Sequence, residues 1–292
     1  MAVPLYRFRR MATIVSLHAH PDDESITVAG LLARSADAGH RVVLVFGTRG
    51  ELGTPVEGAL AEGEQLAIRR TAECYESARV LGAERVEFLG YVDSGMMGDE
   101  TNDHPWVFWQ ADLEQAANRL AAILREEEAD VLTTYDDHGG YGHPDHIQVH
   151  RVGRRAAELA GVPLVIEATS NREMVLEFTR RAADDGTLDE MMQPTDEGPL
   201  EPPSLPDDFG TPVAQITHVL DAVPVIDRKR ASMLAHGSQI GPDHFMAAMP
   251  DEVFALAFGT EWFVVSRTDG PAPDGETVLD GLLSPNPQHA PT

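Results

Sequence analysis

The sequence predicts an α/β fold, a Rossmann-like and mainly parallel sheet with helices on both faces, and three observations carry that prediction. Short apolar runs of strand length alternate with longer segments of helical periodicity, the pattern of a sheet covered on both sides. Two of those runs, Ala12 to Leu17 and Val131 to Tyr135, read as buried strands. Each hands over directly to a cluster of His and Asp, and ligands of open α/β sheets bind outside the carboxyl ends of the strands. With 292 residues and 42% apolar content, the chain has room for one large α/β domain or two small ones and a substantial core.

Taken in order, the first strand stops at the polar run His18-Ala19-His20-Pro21-Asp22-Asp23-Glu24, because Pro21 has no N–H for a ladder. From Glu24 to Gly39, apolar residues at Ile26, Ala29, Leu32, Ala33 and Ala36 fall near helical spacing, and Gly39 is a stop. A strand at Arg41 to Phe46 leads into the glycine-containing loop Gly47 to Thr54. That loop lacks the lysine of a phosphate-binding P-loop and reads as a mobile rim over the site. A helix over Glu64 to Leu81 and a strand over Arg85 to Leu89 follow, ending in the turn Gly90 to Met96. The aromatic stretch His104 to Trp109 is expected to pack under its loop. A helix over Ala111 to Glu128 returns the chain to Val131.

Beyond the second polar cluster come a helix, a strand at Pro163 to Ala168, and an acidic, proline-rich stretch over about 182–212 that reads as an insertion or lid. A strand within Val213 to Leu220, a helix from Val225 to Ile240 carrying Lys229, Arg230 and His236, and a last strand at Trp262 to Val265 complete the pattern. Residues 1–11 then form an N-terminal extension, 12–267 a single domain, and 268–292 a proline-rich disordered tail.

Composition narrows the function. The net charge of −26, from 22 basic and 48 acidic residues, argues against nucleic acid or an anionic membrane as a partner and fits a solvated surface. Arg7, Arg9 and Arg10 precede no long apolar region, so neither a signal peptide nor a membrane span is expected. Cys74 is the single cysteine, which rules out an intramolecular disulfide and fits a reducing, cytoplasmic setting; it reads as a small core residue. A homo-oligomer is compatible with the sequence.

The chemistry lies in the two clusters. His20 and Asp23, three positions apart across a turn, could converge on one cation while Asp22 points elsewhere. Catalytic zinc usually takes three N or O ligands and leaves a position for water, so a third ligand is needed from another strand end. Gly139-Gly140-Tyr141-Gly142-His143-Pro144-Asp145-His146 supplies it, with Pro144 suited to the first turn of a helix. His143 and His146 share a face of that turn, so one can bind metal while the other meets substrate. His150 and His18 read as helix and strand histidines that pack or support the site.

The pair His20-Pro21-Asp22-Asp23-Glu24 and His143-Pro144-Asp145-His146 resembles the LmbE/PIG-L-like zinc N-deacetylases, which act on N-acetylglucosaminyl-inositols and, in one branch, cleave mycothiol conjugates. The resemblance runs from about Thr13 to Gly161 and is weaker around Lys229 to Ile240. It implies that His20, Asp23 and His146 bind Zn2+, with Fe2+ an alternative, and that Asp22 is the general base. It further implies that His143, oriented by Asp145, is an acid or electrostatic stabiliser, and that Tyr141 helps hold the oxyanion. Arg70 and Asp93 match positions that contact sugar hydroxyls in family members. The implied activity is removal of acetyl from an N-acetylglucosamine-type substrate, a small amino sugar conjugate. Amidase action on mycothiol S-conjugates, or a non-catalytic metal- or sugar-binding relative, are the alternatives. A free Asp22 beside the water, together with Tyr141, favours the enzyme.

Overall fold

A computed structural model describes residues 11–184, 209–268, 279 and 281–289. Its centre is an eight-stranded sheet in the order β3-β2-β1-β4-β5-β7-β6-β8. The first five positions are filled by β1 (Thr13–His18), β2 (Arg41–Phe46), β3 (Arg85–Phe88), β4 (Val131–Tyr135) and β5 (Leu164–Thr169), all parallel. Then β7 (Thr260–Arg267) pairs antiparallel with β5, and β6 (His218–Asp221) with β7. The mainly parallel sheet is the one predicted. β1 is buried along nearly its whole length and β4 throughout, which explains why both lack polar alternation.

The helices follow the strands they serve: α1 (Asp23–Thr27) and α2 (Ala29–Asp37) after β1, α3 (Leu66–Leu81) after β2, and α4 (Leu113–Glu126) after β3. The helical turn α5 (Gly139–Gly142) and α6 (Pro144–Ala160) follow β4, and α7 (Arg172–Asp184) follows β5. Short helices α8 (Ile226–Leu234), α9 (Phe245–Ala248) and α10 (Asp251–Phe258) lie between β6 and β7. The core is a continuous cluster built on β1, β2, β4 and β5 with the inner faces of α2, α4 and α6. Among the described residues, no helix is long and apolar enough to cross a membrane.

Three departures from the sequence reading have physical causes. The single helix expected over Glu24 to Gly39 is two, broken at Val28 (φ −137°). Glu261 on β7 accepts hydrogen bonds from the Gly30 and Leu31 N–H groups, capping α2 as a helix of its own, and is itself paired with the buried Lys229 at 2.6 Å. The helix expected to reach Ile240 ends at Leu234, and the segment beyond it is pinned by side-chain bonds to Glu24 and Glu73. The strand expected within Val213 to Leu220 is β6, at His218–Asp221. The disordered tail is also corrected: Leu279 and Leu282 are buried in the core, and Ser284–Pro285 forms β8 against β6. Most of the 182–212 insertion and of the N-terminal extension lies outside the described residues.

Candidate active site

The two His/Asp clusters follow β1 and β4, which are paired neighbours through Ile14–Val131, Val15–Leu132 and Ser16–Thr133. The strand order reverses between them, since β1 is followed by β2 on one side and β4 leads to β5 on the other. Ligands of open α/β sheets bind in the crevice at that switch point.

Asp23 Oδ2 accepts a hydrogen bond from the His20 backbone N–H at 2.8 Å, which folds the first turn. His20 Nδ1 then lies 3.6 Å from the same carboxylate oxygen. From the other strand end, His146 on the first turn of α6 brings Nε2 to 3.4 Å from Asp23 Oδ1. Glycine is required beneath that helix: Gly139 has φ +67°, and a Cβ there would come within 2.6 Å of the His146 Cβ. His143 joins the group, its ring centroid 4.6 Å from that of His20 and 5.1 Å from that of His146. The ligating atoms of His20, His143 and His146 all lie within 4.8 Å of one another, and all three side chains are buried.

Two overlapping donor sets are therefore present, and the second nitrogen of each ring separates them. His20 Nε2 faces Asp145 Oδ2 at 3.2 Å and Asp93 Oδ1 at 3.6 Å, the carboxylate support typical of a ligating imidazole. Among the described residues, His146 Nε2 is buried and makes no hydrogen bond. An orphaned buried nitrogen is costly unless something else satisfies it. His143 differs, because its Nδ1 accepts a hydrogen bond from the Asp145 backbone N–H at 3.1 Å. A neutral imidazole carries one proton, so His143 holds it on Nε2 and presents a donor there, with no lone pair for a metal. Two imidazoles and a carboxylate, from His20, His146 and Asp23, fit a divalent cation of the zinc or ferrous type.

The electrostatics agree with a site built for positive charge. Burial would raise Asp23, but His146 and His20 hold it well below the usual carboxylate range. Burial would lower His20, yet the carboxylates of Asp145, Asp93 and Asp23 raise it well above the usual imidazole range. Burial, reinforced by His20 and His146, pushes His143 down to about 3, keeping it neutral. Burial pushes Asp22 up to about 6 against the opposing pull of Arg70. The Asp22 side chain keeps partial exposure, 18%, and its partner is Arg70 at 3.1 Å rather than a histidine.

The remaining expected residues are placed as follows. Arg70 is buried, with Nη1 donating to the Gly50 carbonyl at 2.9 Å and Nη2 to the Pro21 carbonyl and to Asp22. It thereby ties the Gly47–Thr54 loop to the first turn, so the expected mobile rim is pinned. A Cβ on Gly50 would meet Arg70 Nη1 at 2.1 Å. Asp93 caps its own turn, accepting from Gly95 N–H at 2.9 Å and Leu52 N–H at 3.3 Å, while also facing His20. Tyr141 is 40% exposed at the rim, its ring centroid 4.9 Å from that of His146. Asp145 orients His143 through its backbone only. Its carboxylate goes to His20 and to the Ser94 N–H (3.0 Å) and hydroxyl. His150 bonds the Tyr135 carbonyl at 3.0 Å, and His18 lies between Ser16 and Tyr135, so both are supporting residues as read.

Four residues near the site were given no role by the sequence: Ser94, Tyr135, Glu24 and His236. The Tyr135 hydroxyl accepts from Ala19 N–H at 3.3 Å and fixes the backbone just before His20. Ser94 shares a strand-end turn with Asp93, the one signal that could have found it. His236 meets Glu24 across 212 positions of sequence, a separation no local pattern reveals.

A family model described as PIG-L, GlcNAc-PI de-N-acetylase, matches residues 15–157, the span that holds both turns. A curated relative from Acidothermus cellulolyticus, 1D-myo-inositol 2-acetamido-2-deoxy-alpha-D-glucopyranoside deacetylase, is 39% identical over 277 residues, covering 90% of this chain and 92% of its own. The chain belongs to the PIG-L family. Among solved structures, N,N'-diacetylchitobiose deacetylase from Pyrococcus horikoshii matches with a TM-score of 0.59 and 22% identity, covering 89% of this chain and 86% of that one. GalB, a 4-carboxy-2-hydroxymuconate hydratase from Pseudomonas putida, matches with a TM-score of 0.56 and 18% identity, covering 91% of this chain and all of that one. The PIG-L fold alone thus does not fix the reaction; the chemistry of the site does.

Proposed function

We propose that this PIG-L family hydrolase is a zinc-dependent N-deacetylase of an N-acetylglucosaminyl-inositol, releasing acetate and the free amine. The carrying observation is the convergence of His20, Asp23 and the otherwise unpartnered His146 Nε2 beside an Asp22 carboxylate that stays outside their hydrogen-bond network. The substrate class is supported by the relative that covers nearly the whole chain.

His20, Asp23 and His146 would hold the cation. When bound, it supplies Lewis acidity, polarising the amide carbonyl and making water acidic enough to attack at neutral pH. Asp22 accepts the proton of the attacking water and returns it to the nitrogen as the C–N bond breaks, so protons balance without an outside donor. His143 donates its Nε2–H to the carbonyl oxygen as negative charge develops there, and the Tyr141 hydroxyl offers a second donor from the rim. Removing one such donor in other acyl-transfer enzymes costs roughly 10²–10³ in rate. Asp145 and Asp93 keep the His20 ring fixed, and Arg70 holds Asp22 and the Gly47–Thr54 loop at the substrate's edge.

The test is acetate release by metal-free protein, before and after zinc or ferrous iron is restored. The panel is N-acetylglucosaminyl-inositol, N-acetylglucosamine and diacetylchitobiose, with a mycothiol S-conjugate assayed for its own cleavage products. Zinc-restored turnover led by the glucosaminyl-inositol is expected. Stoichiometric metal binding with no turnover of any member would contradict the reading.

A further inference from the structure

The backbone at Asp22 is unusual. Its φ is 104°, in the region that favours glycine, and a residue with a side chain stays there only where its surroundings fix it. Part of what fixes it is Glu24, whose Oε2 accepts a hydrogen bond from the Asp22 N–H at 3.1 Å. Glu24 is completely buried, and its other oxygen is held by the Ser77 hydroxyl and by His236 Nε2 at 2.6 Å.

His236 is itself completely buried and lies in the segment after α8, far from both motifs in sequence. Among the described residues its Nδ1 has no hydrogen-bond partner, and Glu24 is the hydrogen-bond partner of its ring. The same segment is clamped two residues later, where Ser238 donates through N–H and hydroxyl to the buried Glu73 at 2.8 and 2.7 Å. The Ser238 carbonyl then accepts from the Val56 N–H at 2.8 Å, beyond the Gly47–Thr54 loop. A buried carboxylate with one face on a strained N–H and the other on an imprisoned imidazole is a brace.

We infer that His236, acting through Glu24, is a positioning residue for Asp22: it holds the strained turn that presents the general base. The inference rests on the role proposed for Asp22 but makes a structural claim of its own. Among the described residues, His236 makes its hydrogen bond to Glu24 and none to the candidate metal ligands, and the Asp22 N–H lies two hydrogen bonds away from it. A residue that supports an active group in this way typically costs about 10–100-fold when removed.

The experiment compares His236→Ala, His236→Gln and Glu24→Gln with the parent chain. Gln can place an amide N–H where the imidazole Nε2 stood, so it should restore the bond to Glu24. Each protein is measured for metal content, for kcat and KM with N-acetylglucosaminyl-inositol, and for hydrogen exchange at the Asp22 amide. His236→Ala is expected to keep stoichiometric metal and a near-parental KM, to lose about 10–100-fold in kcat, and to exchange the Asp22 amide at least about tenfold faster. His236→Gln should recover most of both losses, and Glu24→Gln should resemble His236→Ala. Unchanged exchange in His236→Ala would overturn the inference, as would equal damage in the Ala and Gln variants accompanied by metal loss. If the parent chain shows no turnover while the exchange pattern holds, the deacetylase reading fails and the brace stands.

Discussion

The Nδ1 of His143 accepts a hydrogen bond from the backbone N–H of Asp145 at 3.1 Å, and this contact divides the labour among three neighbouring histidines. It places the single proton of the neutral ring on Nε2, turning His143 into a donor while His20 and His146 remain free to ligate. His143→Ala should therefore keep its metal and lose about 10²–10³ in kcat, as removal of an oxyanion donor does elsewhere. Metal analysis beside steady-state kinetics checks this. Loss of metal from His143→Ala would move that ring into the ligand set.

Metal should also stabilise the fold, because the site draws on turns after two different strands, β1 and β4. Chelation is expected to abolish turnover and lower the melting temperature, and added zinc to restore both in proportion to its concentration above Kd. A melting temperature indifferent to metal would argue against a site shared between these turns.

Much of this architecture was legible beforehand. β1 and β4 are buried apolar runs, and each is followed by a cluster of His and Asp at a strand end, the edge where open α/β sheets bind ligands. What could not be read was contact at long range. The break at Val28 depends on Glu261, brought from the far end of the chain, and no local pattern shows that cap. Arg70 reads from the resemblance as a contact to sugar hydroxyls, but its burial and its bond to the Gly50 carbonyl depend on a loop without periodicity. Within the proline-rich stretch read as a tail, Leu279 and Leu282 find a core that composition does not reveal.

The Lys229–Glu261 pair is almost entirely buried, and Glu261 also caps α2. Replacing only the lysine leaves a carboxylate in the interior. Lys229→Met should thus lower the stability to denaturant by about 3–5 kcal/mol, a loss measured by the unfolding midpoint at constant m-value. A change below about 1 kcal/mol would mean that the two backbone N–H groups suffice to hold Glu261.

A separate cluster predicts acid sensitivity. Arg41 on β2 and Arg85 on β3 both reach Glu127 at 2.6 Å, and Arg41 leads the effects that hold the Glu127 carboxyl below its ordinary value of 4.5. A depressed folded-state pKa contributes stability that is present above the unfolded value and is lost as pH falls through the folded one. The stability difference between the parent and Glu127→Gln should accordingly be largest near neutral pH and shrink below about pH 4.5. Denaturation curves at several pH values would show it, and a pH-independent difference would contradict it.

The central claim is that His20, Asp23 and His146 hold the metal while Asp22 moves the proton. Metal content and acetate release, measured together on Asp22→Asn and His146→Ala, test it most directly. Asp22→Asn should retain stoichiometric metal and lose about 10²–10⁴-fold in turnover, whereas His146→Ala should lose the metal itself. Equal metal loss in both variants, or full turnover by Asp22→Asn, would contradict the account.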